Sequence, residues 1–179
     1  MSHLMGRRWF DVPKTQNVTF VGYHPYAVEY AVQIRKLILS QKPDVICVEA
    51  PFSLREQITT AVRKLPSHSV IIFQTYDDEN GVWIVEGSDG VVEAVRSGLE
   101  LSIPVWFVDP TPYRFPTLNR DVSEPFIVDA VGQKAYLEKF NQLNVDSIQS
   151  ESSPKDTFIA SRLREASGKF QEVLFVGGL

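Results

Sequence analysis

A chain of 179 residues with a formal net charge of −4 fits one domain that buries roughly 70% of its unfolded surface, and it lacks the basic face that a nucleic-acid partner would require. Its hydrophobic content of 44% and charged content of 22% are those of an ordinary globular protein. The single cysteine, Cys47, excludes an internal disulfide, and its place in the apolar run DVICVEA points to a packing thiol in a reducing, cytoplasmic compartment. No apolar stretch approaches the ~18 residues of a membrane span, so no membrane partner is expected.

Residues 1–17 read as an N-terminal extension whose opening MSHLM is compatible with a cloning remnant, and they are excluded from the fold argument together with His3. The remainder, 18–179, reads as a single domain. Val18 to Val21 form the first strand, mostly apolar as a strand covered on both faces would be. Ala27, Tyr30, Ala31, Ile34 and Ile38 then recur at helical spacing with Glu29, Arg35 and Lys36 between them, and Pro43 with Asp44 ends that helix. Val45 to Val48 make a second strand. Ser53 and Glu56 form a capping-box pattern ahead of Leu54, Ile58, Ala61, Val62 and Leu65. Val70 to Phe73 and Val82 to Val85 read as strands on either side of the turn-like DDENG.

Val91, Ala94, Val95, Gly98 and Leu99 predict a further helix, and Pro104 opens the strand VWFV before Asp109. The stretch 109–126 carries four prolines and no period, and 144–156 is polar and linker-like. Between them, Val131 to Leu143 has a helical pattern compatible with a lid or a crossover. Ser153, Pro154 and Asp156 stand as cap, first turn and third position of a helix through Ile159, Leu163 and Ala166, and EVLFV at 172–176 closes the chain. Repeated strand–helix–strand units imply an α/β fold, a mostly parallel sheet with helices on both faces built from βαβ units.

Ligands of open parallel sheets bind beyond the carboxyl ends of the strands. Standing there by this reading are His24, Glu49, Tyr76 with Asp77 and Asp78, Asp109, and Gly177 with Gly178 after the last strand. One imidazole and several carboxylates on one rim suit a divalent metal or an acid–base pair. Each residue also has a structural reading. His24 would cap the helix opening near Pro25, Asp109 would begin a turn before Pro110, and Asp77 and Asp78 would be solvated loop acids. Asp156 would serve as an N-terminal helix acid; Gly177 with Gly178 would make a tight backbone turn for ligand approach, or merely stand where the chain stops. Glu49, directly behind an apolar run, is costly to bury without a partner. His68, between Pro66, Ser67 and Ser69, reads as surface at the opposite edge of the sheet.

The segment FVGYHPYAVEYAVQIRKLILSQKPDVICVEAPFS resembles the opening of the superfamily that holds TraB and Tiki proteins, haem-binding ChaN-like proteins and erythromycin esterases. There a first strand ends in a Gly-x-x-His-like motif, and a later strand ends in Val-Glu. GVVEAVRSGLELSIPVWFVD is similar to the family's helix and strand ending in aspartate. PKDTFIASRLREASGKFQEVLFVGG resembles its Arg-Asp-x-x-Met-Ala helix, followed by a strand and a second Gly-x-x-His. Here only Tyr23 separates Gly22 from His24, Lys155 stands where arginine is common, and Phe158-Ile159-Ala160 replaces the Met-Ala step. If Gly177 begins the second motif, its histidine falls just past Leu179, which would make this a domain truncated at its C-terminus.

The resemblance implies catalytic His24, Glu49 and Asp109, with Gly22, Tyr23, Asp156, Gly177 and Gly178 toward a ligand. It also implies His24 and Glu49 as metal ligands, and haem, with His24 or Tyr23 axial, as a less favoured cofactor. The function expected is hydrolase-like, with metal- or His/Glu-assisted attack of water on an ester or amide of a small molecule or peptide. No serine or cysteine sits in an elbow-type motif, which disfavours a covalent triad. Two alternatives stay open: a non-catalytic module for a ligand, metal or haem, and an interaction domain of a larger protein with a degraded site.

Overall fold

The computed structural model describes residues 14–25, 27–75, 79–110, 127–132, 134–136, 138–139 and 154–178. The elements are β1 (Lys14–Thr15), β2 (Val18–Tyr23), α1 (Val28–Gln41), β3 (Val45–Pro51), a 3₁₀ turn (Phe52–Leu54) and α2 (Arg55–Val62). They continue through β4 (Ser69–Gln74), β5 (Asn80–Val85), α3 (Gly90–Leu101), β6 (Val105–Asp109), α4 (Ile127–Val131), α5 (Pro154–Lys169) and β7 (Val173–Gly178).

Five strands form one sheet in the order β1-β2-β7-β3-β6. β2, β7, β3 and β6 run parallel, and β1 is antiparallel at the edge. The continuous apolar strands follow from cover on both faces. Val21, Tyr23, Ile46, Val48, Phe107, Leu174 and Val176 point into the larger core beneath α1, α2 and α3. Their alternates Val18, Val45, Cys47, Val108 and Val173 meet Ile159, Leu163 and Ala166 of α5 on the other face. The α/β fold with a mostly parallel sheet is therefore the architecture. No helix among the described residues is long and apolar enough to cross a membrane.

Two expectations are corrected here. β4 and β5 pair with each other, antiparallel, in a separate two-stranded sheet. They are joined without a crossover helix, which a parallel pair would need. β4 is therefore not a strand of the parallel sheet, and Tyr76, Asp77 and Asp78 lie outside the described residues. The capping box at Ser53 and Glu56 does not form: Ser53 is inside the 3₁₀ turn, and α2 begins after Leu54 with no side-chain cap. The side-chain cap found is at α3, where the Asp89 carboxylate accepts from the N–H groups of Val91 and Val92. Ser153, expected to cap α5, lies outside the described residues, as do 133, 137 and 140–143 of the helical pattern between the two irregular stretches.

Candidate functional site

The carboxyl rim of the sheet gathers groups from three neighbouring strands. β7 runs two residues further than the sequence suggests, so Gly177 and Gly178 are strand residues paired with Gly22 and Tyr23 of β2, not a turn beyond it. On the other side of β7, the register of β3 against β6 slips between Val48 and Pro51, and Pro51 pairs with Asp109. Irregularities of this kind re-aim side chains near sites. Glu49 lies within this one. Its Oε2 accepts the Gly178 N–H at 2.9 Å, and its Oε1 meets the Lys155 ammonium at 2.7 Å. The same ammonium is 3.0 Å from Asp109 Oδ2.

Burial makes this cluster electrostatically consequential. The side-chain exposures are 6% for Asp109, 22% for Glu49 and 26% for Lys155. Burial by itself would lower the lysine, but Glu49 and Asp109 outweigh it and hold Lys155 above the ordinary lysine value, so it is cationic at neutral pH. Asp156, next along α5, is exposed in the first helical turn, where an acid complements the helix dipole. Lys155 opposes that dipole. Its position is sustained by the two carboxylates in front of it.

His24 stands on the same rim but in different company. It does not cap α1, whose N-cap is Ala27 with no side-chain bond. Its imidazole is 3% exposed and packs edge-on to Tyr30 and Tyr136, with ring centroids 5.7 and 6.3 Å away. The Tyr136 hydroxyl lies 3.3 Å from His24 Nε2. Burial lowers the His24 pKa, so the ring is neutral at pH 7. Burial, with Tyr136 next, pushes the Tyr30 phenol upward. Tyr23 is 4% exposed; its ring lies against Gly90, where a Cβ would come within 2.9 Å of it.

The structure thus joins Glu49, Asp109, Lys155 and Gly178, and separately His24, Tyr30 and Tyr136. β7 lies between β2 and β3, so the backbones leading to His24 and Glu49 are roughly 10 Å apart at ordinary strand spacing. They share an end of the sheet. Their side chains serve opposite faces of it: Tyr30 and Tyr136 belong to the larger core, whereas Lys155 comes from α5. Reading the rim from strand ends alone missed Lys155 and Tyr136. A lysine in the first turn of a helix, against the dipole, is a signal that points to the former.

The donors do not fit a metal. Among the described residues no group of three His, Cys, Asp or Glu converges in a way that could hold an ion, and an ammonium already bridges the two rim carboxylates. Haem fits no better, because His24 Nε2 faces the Tyr136 hydroxyl and the Tyr23 ring is packed in the core. His68 is exposed, beside a groove formed with Arg63 and Arg96. Compared with protein-family models, with curated proteins and with solved structures, the chain matches none.

Proposed function

We propose that the carboxyl rim is the site of a hydrolase-like domain that directs water onto an ester or amide of a small molecule or peptide without a metal. The observation that carries this reading is the convergence of Glu49, Asp109 and Lys155, from two strands and a helix, on one partly open spot. In this scheme Glu49 takes a proton from water as the water oxygen bonds to the carbonyl carbon. The carbonyl electron pair moves onto oxygen, where the Lys155 ammonium stabilises it. Collapse expels the alcohol or amine, which leaves with the proton held by Glu49. Asp109 keeps the ammonium oriented. The neutral imidazole of His24, buried against Tyr30 and Tyr136, stands apart from this step. Cys47 takes no part: burial pushes its thiol up to about 12, which suits a packing residue in a reducing cytoplasm.

A non-catalytic module for a small polar ligand is favoured by one observation: both oxygens of Glu49 are already occupied, by Lys155 and by the Gly178 N–H. A screen of chromogenic esters and peptide anilides separates the two readings, run with the unaltered protein, Glu49→Gln, Lys155→Met and His24→Ala. The hydrolase reading requires turnover that Glu49→Gln and Lys155→Met each lower by about 10²-fold or more. Turnover that persists in both variants excludes this site. No turnover, combined with a ligand-induced thermal shift that Lys155→Met abolishes, establishes the binding module instead. Elemental analysis in parallel tests the donor argument: a stoichiometric metal lost on His24→Ala would overturn it.

A further inference from the structure

The β4–β5 hairpin is patterned for burial on both faces but, among the described residues, is covered on one. Its inner face, Ile71, Phe73, Trp83 and Val85, is buried in the larger core. Its outer face presents Val70, Ile72, Val82 and Ile84, exposed by 60%, 72%, 54% and 44%. These four residues carry no charge. Strands half-covered by solvent alternate apolar with polar residues, whereas VIIF and VWIV are unbroken apolar runs of the kind that are covered twice.

The arrangement of the four residues says what covers them. Val70 pairs with Ile84 and Ile72 with Val82, on either side of the inner pair Ile71 and Trp83. Each valine thus has an isoleucine across from it and another two residues along its own strand, a small–large checkerboard. Turning a second copy over, about an axis parallel to the strands, lays Ile72 of one copy over Val82 of the other and Val70 over Ile84. Every large side chain then meets a small one, which is how packed layers interdigitate. The same operation sets Gln74 against Asn80, its outer-face neighbour at the end of the hairpin, and amides donate and accept hydrogen bonds to one another. A charged partner would find nothing here to match it.

We propose that this face is the contact of an isologous homodimer, the outer faces of two β4–β5 hairpins stacked on each other. The four side chains expose roughly 400 Å² per copy, about half of the ~800 Å² per partner of a standard interface. The dimer is therefore weak and populated by concentration.

Sedimentation equilibrium of the full chain from about 5 to 500 μM tests it, with an expected monomer–dimer equilibrium whose dissociation constant rises at least about tenfold in Ile72→Lys or Ile84→Lys. Ile72→Val alone sets valine over valine, and Val82→Ile alone sets isoleucine over isoleucine; each weakens the dimer several-fold. The double change again sets a large side chain over a small one at every contact between the copies, and restores the affinity. Because the swaps keep β-branched side chains at exposed positions, they read the interface even if a lysine variant fails to fold. A monomer at every concentration overturns the proposal and leaves the face to a different occupant. A dimer indifferent to all four substitutions overturns it as well, by placing the contact elsewhere.

Discussion

Replacing Lys155 by methionine tests whether the rim cluster is electrostatically closed. The substitution keeps most of the side chain's length and apolar stem but removes the ammonium that lies against both Glu49 and Asp109. Breaking a fully buried ion pair costs about 3–5 kcal/mol, because the surviving charge is left uncompensated. Here Asp109 is 6% exposed and approaches that limit, while Glu49 at 22% retains some water. A discount for solvent screening brings the expected loss to about 2–4 kcal/mol. For a chain of this size that is a melting temperature lower by roughly 5–12 °C. Urea denaturation followed by circular dichroism measures it. The triple variant Lys155→Met, Glu49→Gln, Asp109→Asn removes the stranded charges too and should recover most of the loss, as neutral replacement of a buried pair often does. The reasoning fails if Lys155→Met lies within about 0.5 kcal/mol of the unaltered protein, the range of an ordinary surface change. It fails equally if the triple variant is no more stable than the single one.

Three further outcomes follow from particular contacts. The folded state resists protonating His24, whose pKa is lowered by burial; its contribution to stability is complete above the ordinary histidine value of 6.5 and is lost as pH falls through the lowered folded value. Denaturation midpoints should decline over that acidic window with a slope that His24→Gln reduces, and NMR titration of the ring should give a midpoint below 6.5. Asp89→Ala deletes the acceptor for the Val91 and Val92 N–H groups and should cost about 1–2 kcal/mol, whereas Asp89→Asn, also a good N-cap, should cost less. Gly177→Ala would bring a Cβ within 2.7 Å of the Phe175 ring and 2.8 Å of Glu49 Oε2, costing roughly 1–3 kcal/mol. Gly87→Ala, with nothing within 4 Å, is the matched control and should change stability by no more than about 0.5 kcal/mol.

The parallel sheet was readable because both its faces are covered, which makes β3 and β7 unbroken apolar runs whose helices fall at helical period between them. The same signal misassigned β4. Its run VIIF has the composition of a central strand, and periodicity does not say which sheet a strand joins. The informative quantity was connection length: only residues 75–79 separate β4 from β5, room for a hairpin but not for a crossover. At the rim, Glu49 and Asp109 could be picked out because a carboxylate immediately behind a buried strand demands a partner. That partner could not be named from spacing, since Lys155 is more than a hundred residues from Glu49 in sequence and joins it only when α5 packs across β3, β7 and β6. His24 presented the reverse difficulty. Its place after a strand suggested capping or chemistry, whereas its neighbours are two tyrosines, one of them from a stretch whose period did not reveal where it docks.

The position of β7 explains why one rim holds two polar groupings rather than one. β2 delivers His24 and β3 delivers Glu49, but the strand between them ends in Gly177 and Gly178. Any larger residue at Gly177 would drive a Cβ into the Glu49 carboxylate. At Gly178 the nearest approach of a Cβ to that oxygen would be 3.9 Å, ordinary contact, so tolerance there is expected. A Cβ at the first glycine thus has to displace the Phe175 ring and the Glu49 carboxylate, and the second contributes its N–H to Glu49, a role any residue except proline fills. A Gly178→Ala variant that keeps wild-type stability while Gly177→Ala loses it would localise the constraint to one Cβ. Equal losses would show instead that the backbone of β7, not the Glu49 side chain, limits what can stand between the two groupings.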